Sequence, residues 1–240
     1  MTLKQLAKRI LRRPEWDAPN DFEANPNGYI TKYAEHGDRN VRRDPQQAAG
    51  GHWEEIGGLQ FGFLLRHGLK PWHRFLDVGC ATLRAGRWMI RYLEPGNYTG
   101  VDISPAALRY GRRLVRQERL TDRRPRLILS DGNLKFEQFG EEKFDYVIAQ
   151  SVFTHLMDSQ IDECLSHVHR VLSPTGAFYF TAWIDDVPSR PTPFEFRQVL
   201  SLYEQLTQRH GLAFEDLSSD YPHPRNQRMF RVRPLSATSQ

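Results

Sequence analysis

The stretch RFLDVGCATLRAG, residues 74–86, decides the fold. The segment from Phe75 to Val78, which is apolar apart from Asp77, predicts a short buried strand that leads directly into Gly79 and a loop of mostly small residues. Glycine at such a turn lets a ligand approach the backbone closely, because no side chain stands in the way. A helical pattern then continues through Met89 and Leu93. Strand, glycine turn and helix in this order indicate a ligand-binding crevice at the edge of an open α/β sheet.

The same alternation continues along the chain. Ser104 and Pro105 begin a second helix, as an N-cap residue followed by a proline at the first helical position. A later helix is predicted from apolar residues at helical spacing, namely Phe196, Val199, Leu200, Tyr203 and Leu206. Further strands are predicted at residues 98–103, 126–130, 144–149, 177–181, 213–217 and 229–232.

No helix is predicted between the last two strands, so they should pair antiparallel. The fold class predicted is therefore α/β. It has a doubly wound, mostly parallel seven-stranded sheet with an antiparallel terminal hairpin strand, and helices cover both faces.

Length and composition agree with one large domain and exclude several other classes. The chain has 240 residues, of which 39% are hydrophobic and 26% are charged, so it can bury a substantial core. No apolar run approaches the roughly 18 residues needed to cross a bilayer. Two cysteines, Cys80 and Cys164, are too few for a disulfide scaffold, and we expect a cytoplasmic protein.

The net charge of +4 is concentrated in the first 13 residues, which contain five basic residues and no acidic one. Apolar side chains there recur at helical spacing, so we predict a short amphipathic helix. It either binds an anionic membrane surface or a protein partner, or packs on its own domain. Residues 14–52 have the composition of a linker or an ordered flap. We therefore divide the chain into residues 1–52, the amphipathic helix with its linker or flap, and residues 53–240, the main domain.

Polar residues follow the strands where an α/β sheet binds its ligand. Asp102 ends the second strand, where a carboxylate can accept hydrogen bonds from both hydroxyls of a ribose. Asp131 and Gly132 follow the third strand, and Gln150 follows the fourth. The glycine loop and the ribose acid alone do not distinguish a nicotinamide cofactor from another cofactor that contains adenosine.

With these motifs in register, and with RVLSPTGAFYF at residues 170–180, the chain resembles the class I, Rossmann-like S-adenosylmethionine-dependent methyltransferases of the bacterial small-molecule type. The resemblance covers approximately residues 53–234 and implies S-adenosyl-L-methionine as cofactor and S-adenosyl-L-homocysteine as product. It implies that Asp77, Gly79 and Ala81 belong to the loop that binds the methionine part of the cofactor, and that Asp102, with its neighbour Ile103, binds the ribose. It also implies that Asp131 and Gly132 contact the adenine and that Gln150 lines the cofactor site. Ala81 stands where many members of the family have a second glycine.

His155 is the candidate catalytic residue. It follows the fourth strand, where the methyl acceptor should face the cofactor, and an imidazole with an ordinary pKa of about 6.5 is suited to accept a hydroxyl proton. Alternatively, His155 caps or packs the next helix, or helps to seat the cofactor. Asp185 and Asp186 follow the fifth strand. Three roles stay open for them: they orient His155, they bind a divalent metal together with it, or they lie in a solvated loop. We predict no metal site.

These features favour an enzyme that methylates a hydroxyl group on a small molecule such as a sugar or a natural product. DNA amino-methyltransferases of this fold usually have an Asn/Asp-Pro-Pro-aromatic motif after the fourth strand, whereas this chain has QSVF at residues 150–153. We therefore expect no DNA partner. Two alternatives stay open at this point: a nicotinamide-dependent Rossmann reductase, and a binding module that has the fold without catalysis.

Overall fold

The structure is a computed structural model, and it describes residues 25–235. The amphipathic helix predicted within residues 1–13 lies outside the described residues. In the described part of the chain, every helix is too short or too polar to cross a bilayer.

The described sheet is an open α/β sheet with the predicted topology at its centre. Strands β3, β2, β1, β4 and β5 lie side by side in that order and are parallel. β9 pairs antiparallel with β5, and β8 pairs antiparallel with β9, which confirms the terminal hairpin strand. The strands are β1 (Phe75–Val78), β2 (Tyr98–Asp102), β3 (Arg126–Leu129), β4 (Phe144–Ala149), β5 (Leu172–Ile184), β6 (Ser189–Thr192), β7 (Glu195–Gln198), β8 (Leu212–Asp216) and β9 (Arg228–Pro234).

Helices cover both faces of this sheet, as predicted. Side chains of the central strands alternate between two buried clusters, one beneath α3, α4 and α5 and the other beneath α6 and α7. The helices are α1 (Pro26–Arg43), α2 (Pro45–Ala48), α3 (Trp53–Arg66), α4 (Gly86–Tyr92), α5 (Pro105–Gln117), α6 (Asp158–His167) and α7 (Leu200–Arg209). The predicted N-cap of α5 is present, because the Ser104 hydroxyl accepts a hydrogen bond from the Ala107 N–H at 3.0 Å. Local sequence therefore positions the binding edge of the sheet.

One prediction was wrong between β5 and α7. Phe196 and Val199 were assigned to the helix, but α7 begins at Leu200, and residues 189–198 form the β6–β7 hairpin instead. β7 pairs with the end of β5, where Trp183 is opposite Arg197, and the Phe196 ring packs edge-on against Tyr29 at 6.0 Å. Pairing with β5 and a contact with α1 thus override the helical spacing. The described sheet has the seven predicted strands and, in addition, β6 and β7.

Residues 25–52, the described part of the segment interpreted as a linker or an ordered flap, are largely helix α1. Asn25 caps this helix, with its side chain accepting a hydrogen bond from the Gly28 N–H at 2.9 Å, and Pro26 follows the cap. Asp38 joins α1 to the start of α5, because its Oδ1 accepts from the Ser104 hydroxyl at 2.6 Å and from the Ala106 N–H at 3.1 Å. Helix α1 therefore lies across the carboxyl end of β2.

Candidate active site

A cavity of about 610 Å³ opens at the carboxyl ends of the parallel strands. Its floor comes from the segments that follow β1, β2, β3 and β4, and the residues that lead into β9 form one wall. Helix α1 and the turn of the β6–β7 hairpin line the opposite side. This volume is within the range of small-molecule sites, and the position is where open α/β sheets bind ligands.

Gly79 gives this floor its shape. Its φ is +70°, and a Cβ added there would lie only 2.5 Å from Cγ2 of Val152 in the segment after β4. Glycine is therefore required both by the backbone conformation and by the close packing of the two loops. Ala81 also has a positive φ, of 47°, so the alanine in place of a second glycine holds a left-handed conformation that glycine adopts more easily.

Replacing Gly79 by alanine should therefore destabilise the protein more than the same change at a roomy glycine. Gly96 is the matched control, since its φ is +93° and a Cβ there would meet nothing within 4 Å. Gly96→Ala should lower the free energy of unfolding by about 1–2 kcal/mol through backbone strain alone. Gly79→Ala should lower the free energy of unfolding by about 1–3 kcal/mol more than Gly96→Ala does, because the β-branched Val152 side chain cannot move aside freely. Urea unfolding measures the free energy of unfolding of both variants. Equal losses of this free energy would contradict the packing argument.

Two backbone N–H groups hold the Asp102 carboxylate in place at the end of β2. Its Oδ2 accepts a hydrogen bond from the Ala81 N–H at 2.8 Å, and its Oδ1 accepts from the Ser104 N–H at 2.7 Å. Burial raises the pKa of Asp102, and these two N–H groups oppose that shift. Each carboxylate oxygen retains a second lone pair, so the group can also accept hydrogen bonds from a ligand.

Asp77 lies beneath the same loop. Burial raises its pKa to about 7, against the opposing hydrogen bond from the Tyr98 hydroxyl at 2.7 Å. The carboxyl group is thus held in a rigid, fully packed position at the cavity floor rather than displayed to solvent.

Every residue predicted to bind the cofactor lines the cavity except Asp131. Asp131 is exposed, and its two oxygens accept hydrogen bonds from the backbone and side chain of Asn133 at 3.0 and 2.7 Å. Its neighbour Gly132 does line the cavity, and a Cβ there would lie 2.4 Å from Ile30 of α1. The adenine contact assigned to Asp131 gains no support from this position, whereas Gly132 is where α1 meets the floor.

His155 faces the cavity from the one-turn helix after β4. Its Nδ1 contacts the carbonyl oxygen of Phe194 in the β6–β7 turn, and a carbonyl can only accept, so Nδ1 bears the proton and Nε2 has a lone pair. The ring packs against Tyr33 at 4.9 Å between centroids, and the Tyr29 hydroxyl donates to the His155 carbonyl at 2.7 Å. Burial lowers the pKa of His155 to about 4, so the imidazole is neutral at physiological pH.

A buried polar network lies at the ends of β4 and β5. Oε1 of Gln227 accepts hydrogen bonds from the hydroxyls of Thr181 and Ser151 at 2.7 and 2.8 Å. Gln150 joins the network through the Tyr221 hydroxyl, which donates to its Oε1 at 2.7 Å. Nε2 of Gln227, by contrast, is buried and has no partner among the described residues.

Sequence reasoning assigns no site role to several residues that line the cavity, among them Tyr29, Tyr33 and His36 of α1, Arg84, Arg225 and Gln227. The Asn25-Pro26 pair was a usable sign that a helix begins there, since it has the N-cap residue and the proline of a helix start. Arg84 lies within the glycine loop itself. Arg225 and Gln227 carried no local signal of a binding role.

Neither Asp185 nor Asp186 lines the cavity. Asp185 instead pairs with Arg197 of β7 at 3.5 Å. Within residues 25–235, no group of three or more His, Cys, Asp or Glu side chains is arranged to hold a metal ion.

Comparison with known proteins agrees with this fold. Residues 76–178 match the family model described as a methyltransferase domain. The chain is similar to magnesium protoporphyrin IX methyltransferase from Synechocystis PCC 6803 with bound S-adenosylhomocysteine (TM-score 0.65, 13% identity, covering 86% of this chain and 99% of that chain). It is also similar to a SAM-dependent methyltransferase from Leishmania major, with a TM-score of 0.64 and 14% identity over 85% of this chain and 81% of that chain. A third similar structure is the CcbJ methyltransferase from Streptomyces caelestis, with a TM-score of 0.60 and 13% identity over 75% of this chain and 90% of that chain.

Identities this low show a shared fold, while the family match covers the segment from β1 to the middle of β5. The matched segment contains the glycine loop, the acid at the end of β2 and the His155 turn. Together the comparisons show that residues 76–178 match a methyltransferase domain and that the chain has the fold of S-adenosylmethionine-dependent methyltransferases.

Proposed function

We propose that this chain transfers the methyl group of S-adenosylmethionine to a hydroxyl oxygen of a small molecule, with His155 as the general base. The observation that carries the choice of oxygen is the hydrogen bond from Nδ1 of His155 to the Phe194 carbonyl. It fixes the tautomer and leaves Nε2 as an acceptor on a residue that lines the cavity. A hydroxyl nucleophile needs such a group, because it must lose a proton as it is methylated.

The cavity fits the cofactor on its own geometry. Gly79, with a φ of +70°, turns the backbone sharply after β1 and lines the cavity, and Asp102 presents carboxylate oxygens at the edge of the floor beside Ile103 and Ala81. Gly132 and Gln150 continue the lining toward β3 and β4. We assign these residues, with Asp77, to cofactor binding. The bound cofactor supplies an electrophilic methyl group on a sulfonium.

The residues around His155 prepare it for proton transfer. Because burial lowers its pKa to about 4, Nε2 is unprotonated in nearly every molecule at neutral pH. Nε2 accepts the proton of the acceptor hydroxyl as that oxygen is methylated. The Phe194 carbonyl then stabilises the imidazolium through its hydrogen bond to Nδ1, as an orienting acceptor does in other catalytic histidines.

Helix α1 and the β6–β7 turn shield this chemistry from water. Tyr29, Tyr33 and Phe194 form an aromatic layer over His155, with ring centroids 5.5–6.1 Å apart. A covered, low-polarity site strengthens the electrostatic interactions of the reacting groups and prevents hydrolysis of a reactive donor. The cover also favours a small acceptor, since the cavity of about 610 Å³ must hold both ligands.

The names of similar proteins do not define the acceptor, since one of them is named for magnesium protoporphyrin IX. The direct test is a transfer assay with methyl-labelled S-adenosylmethionine across sugars, phenols, hydroxylated natural products, amines, peptides and tRNA. Calorimetry with S-adenosylhomocysteine runs in parallel. We expect cofactor-product binding and label on hydroxylated small molecules. Label on amines or tRNA alone would overturn the choice of oxygen, and absence of S-adenosylhomocysteine binding would overturn the site.

A further inference from the structure

The aromatic layer over His155 continues along α1 to His36. The His36 ring packs against Phe194, with the ring centroids 4.9 Å apart. Tyr33 lies between these rings and the base, since its centroid is 5.5 Å from Phe194 and 4.9 Å from His155. Tyr33 and His36 are three positions apart on the helix, so they share one face. Both are only partly buried and line the cavity, so α1 presents rings to a ligand beside His155.

The hydroxyl end of Tyr33 lies near the cofactor-binding floor. Burial raises the pKa of the Tyr33 hydroxyl, and the neighbouring Tyr29 adds to this. Two carboxylates, those of Asp102 and Glu195, act on it in the same direction, which requires them to be close. One face of the ring meets His155 while its hydroxyl is near Asp102. A methyl acceptor placed between His155 and the cofactor therefore lies beside the Tyr33 ring.

The polar side chains that line this end of the cavity are largely paired within the protein. The pairs are His36 with Asn40 at 2.8 Å, Glu195 with Arg225 at 3.9 Å, Gln160 with the Met157 N–H at 3.0 Å and Thr192 with the Phe194 N–H at 3.3 Å. By contrast, Nε2 of His155 is left as an acceptor by the bond that Nδ1 makes. This end of the cavity therefore offers few hydrogen-bonding positions and much ring surface.

This balance distinguishes between the two kinds of acceptor that have a hydroxyl group. A hydroxyl that leaves water needs a new hydrogen-bond partner, because leaving it unpaired costs free energy. A sugar brings several hydroxyls and needs as many partners. A phenol brings one hydroxyl, for which Nε2 of His155 is the acceptor, together with a flat apolar ring. Aromatic rings pack favourably on one another in offset and edge-to-face arrangements, so the site suits the phenol better.

We propose that the methyl acceptor is a phenol, whose ring packs against Tyr33 and His36 and whose hydroxyl meets Nε2 of His155. The inference rests on the proposed function, since it requires transfer to oxygen beside this base. The phenol oxygen forms a bond to the methyl carbon as the carbon–sulfur bond breaks, and that electron pair stays on sulfur. The hydroxyl proton passes to Nε2 and later to solvent. The products are an aryl methyl ether and S-adenosylhomocysteine.

The acidity of a phenol also matches the base. Because burial lowers the pKa of His155 to about 4, its Nε2 is a weak proton acceptor. A phenol has an ordinary pKa of about 10, as in tyrosine, whereas an aliphatic hydroxyl is near water at about 15.7. General-base catalysis becomes more effective as the difference in pKa between acceptor and base narrows. His155 therefore favours the more acidic hydroxyl.

The first test measures whether the site prefers an aromatic ring. With the full chain saturated with S-adenosylhomocysteine, calorimetry compares 2-naphthol with decahydro-2-naphthol, which has the same carbon skeleton and hydroxyl but no aromatic ring. We expect 2-naphthol to bind roughly 10-fold more tightly, because aromatic pairs contribute beyond the area they bury. Equal affinities, or binding of neither compound, would overturn the proposal.

Tyr33→Leu removes the ring and should reduce this preference by roughly 2- to 10-fold. Tyr110→Leu is the matched control. Tyr110 of α5 is also partly buried and packs against a cluster that contains Val41 of α1, yet it does not line the cavity. The control should keep the wild-type preference. Equal reductions in the two variants would show that the position of α1 sets the preference, and would contradict the packing assigned to Tyr33.

The second test uses tyrosol, which has one phenolic and one aliphatic hydroxyl, so that the labelled oxygen reports the choice within one molecule. We expect the methyl label on the phenolic oxygen. Label on the aliphatic oxygen alone, or on glucose but on no phenol, would overturn the phenol and leave the proposed function standing. Failure of the wild type to bind S-adenosylhomocysteine would instead overturn the proposed function, which is a different result.

Discussion

Replacing His155 by asparagine is expected to lower kcat by about 10²- to 10⁴-fold, the usual contribution of a general base, and to leave the affinity for S-adenosylhomocysteine nearly unchanged. Asparagine removes Nε2, the proton acceptor. Its side-chain amide still offers an N–H near the position of Nδ1, so the bond to the Phe194 carbonyl can be retained. The variant therefore separates the two roles of this side chain.

Alanine at the same position removes both roles and serves as the comparison. If His155 is the base, asparagine and alanine lower kcat to a similar extent. If His155 only anchors the β6–β7 turn, asparagine retains turnover and alanine loses it. Single-turnover methyl transfer with the acceptor found in the labelled screen measures kcat, and calorimetry with S-adenosylhomocysteine measures binding.

The pH profile gives an independent check on the same group. A base must be unprotonated to act, and the pKa of His155 is lowered to about 4 by burial. The rate should therefore fall only as the pH drops toward 4, and it should stay level near pH 6.5, where an ordinary histidine titrates. A decline centred on pH 6.5 that disappears in His155→Asn would show a solvated imidazole instead of a buried one.

Local sequence predicted the parts of this protein that local interactions determine. The strand before Gly79, the Ser104 cap and Asp102 at the end of β2 follow from neighbouring residues, and the structure confirms the fold they indicated. The parallel order of the central strands follows from the same alternation of elements.

The residues that cover the site are positioned by contacts between residues far apart in the sequence, and no short stretch of sequence contains both partners. The Tyr29 hydroxyl meets the carbonyl of His155, 126 positions away in the chain. Likewise, β7 exists because it pairs with the end of β5, and Arg84 is oriented by carbonyls more than 30 positions earlier in the chain. Propensity and periodicity carry no information about such partners. They therefore predict a helix at Phe196, where the structure has β7, and they do not distinguish a linker from an ordered flap for the segment that contains α1.

Replacing Asp102 by asparagine should have the largest effect on cofactor binding. Asp102 accepts two backbone N–H bonds through its carboxylate, and its remaining lone pairs are those proposed to accept the ribose hydroxyls. Asparagine loses the charge and turns one acceptor into a donor that faces a backbone N–H. Because each hydrogen bond to a charged group contributes about 1.5–3 kcal/mol, we expect the dissociation constant of S-adenosylhomocysteine to rise by about 10²-fold or more.

Two comparisons separate ribose binding from damage to the loop. Asp216 is the matched control, since it also ends a strand and accepts the N–H of the residue two positions later, from Ser218 at 2.9 Å, yet it lies outside the cavity. Asp216→Asn should therefore leave the affinity unchanged. The second comparison uses an S-adenosylhomocysteine analogue without the 2′-hydroxyl, which should bind the wild type more weakly than the parent. Asp102→Asn should bind the two equally, because the cycle isolates the carboxylate–hydroxyl interaction. If the variant still prefers the parent compound as the wild type does, the ribose hydroxyl is bound elsewhere, and Asp102 only shapes the loop.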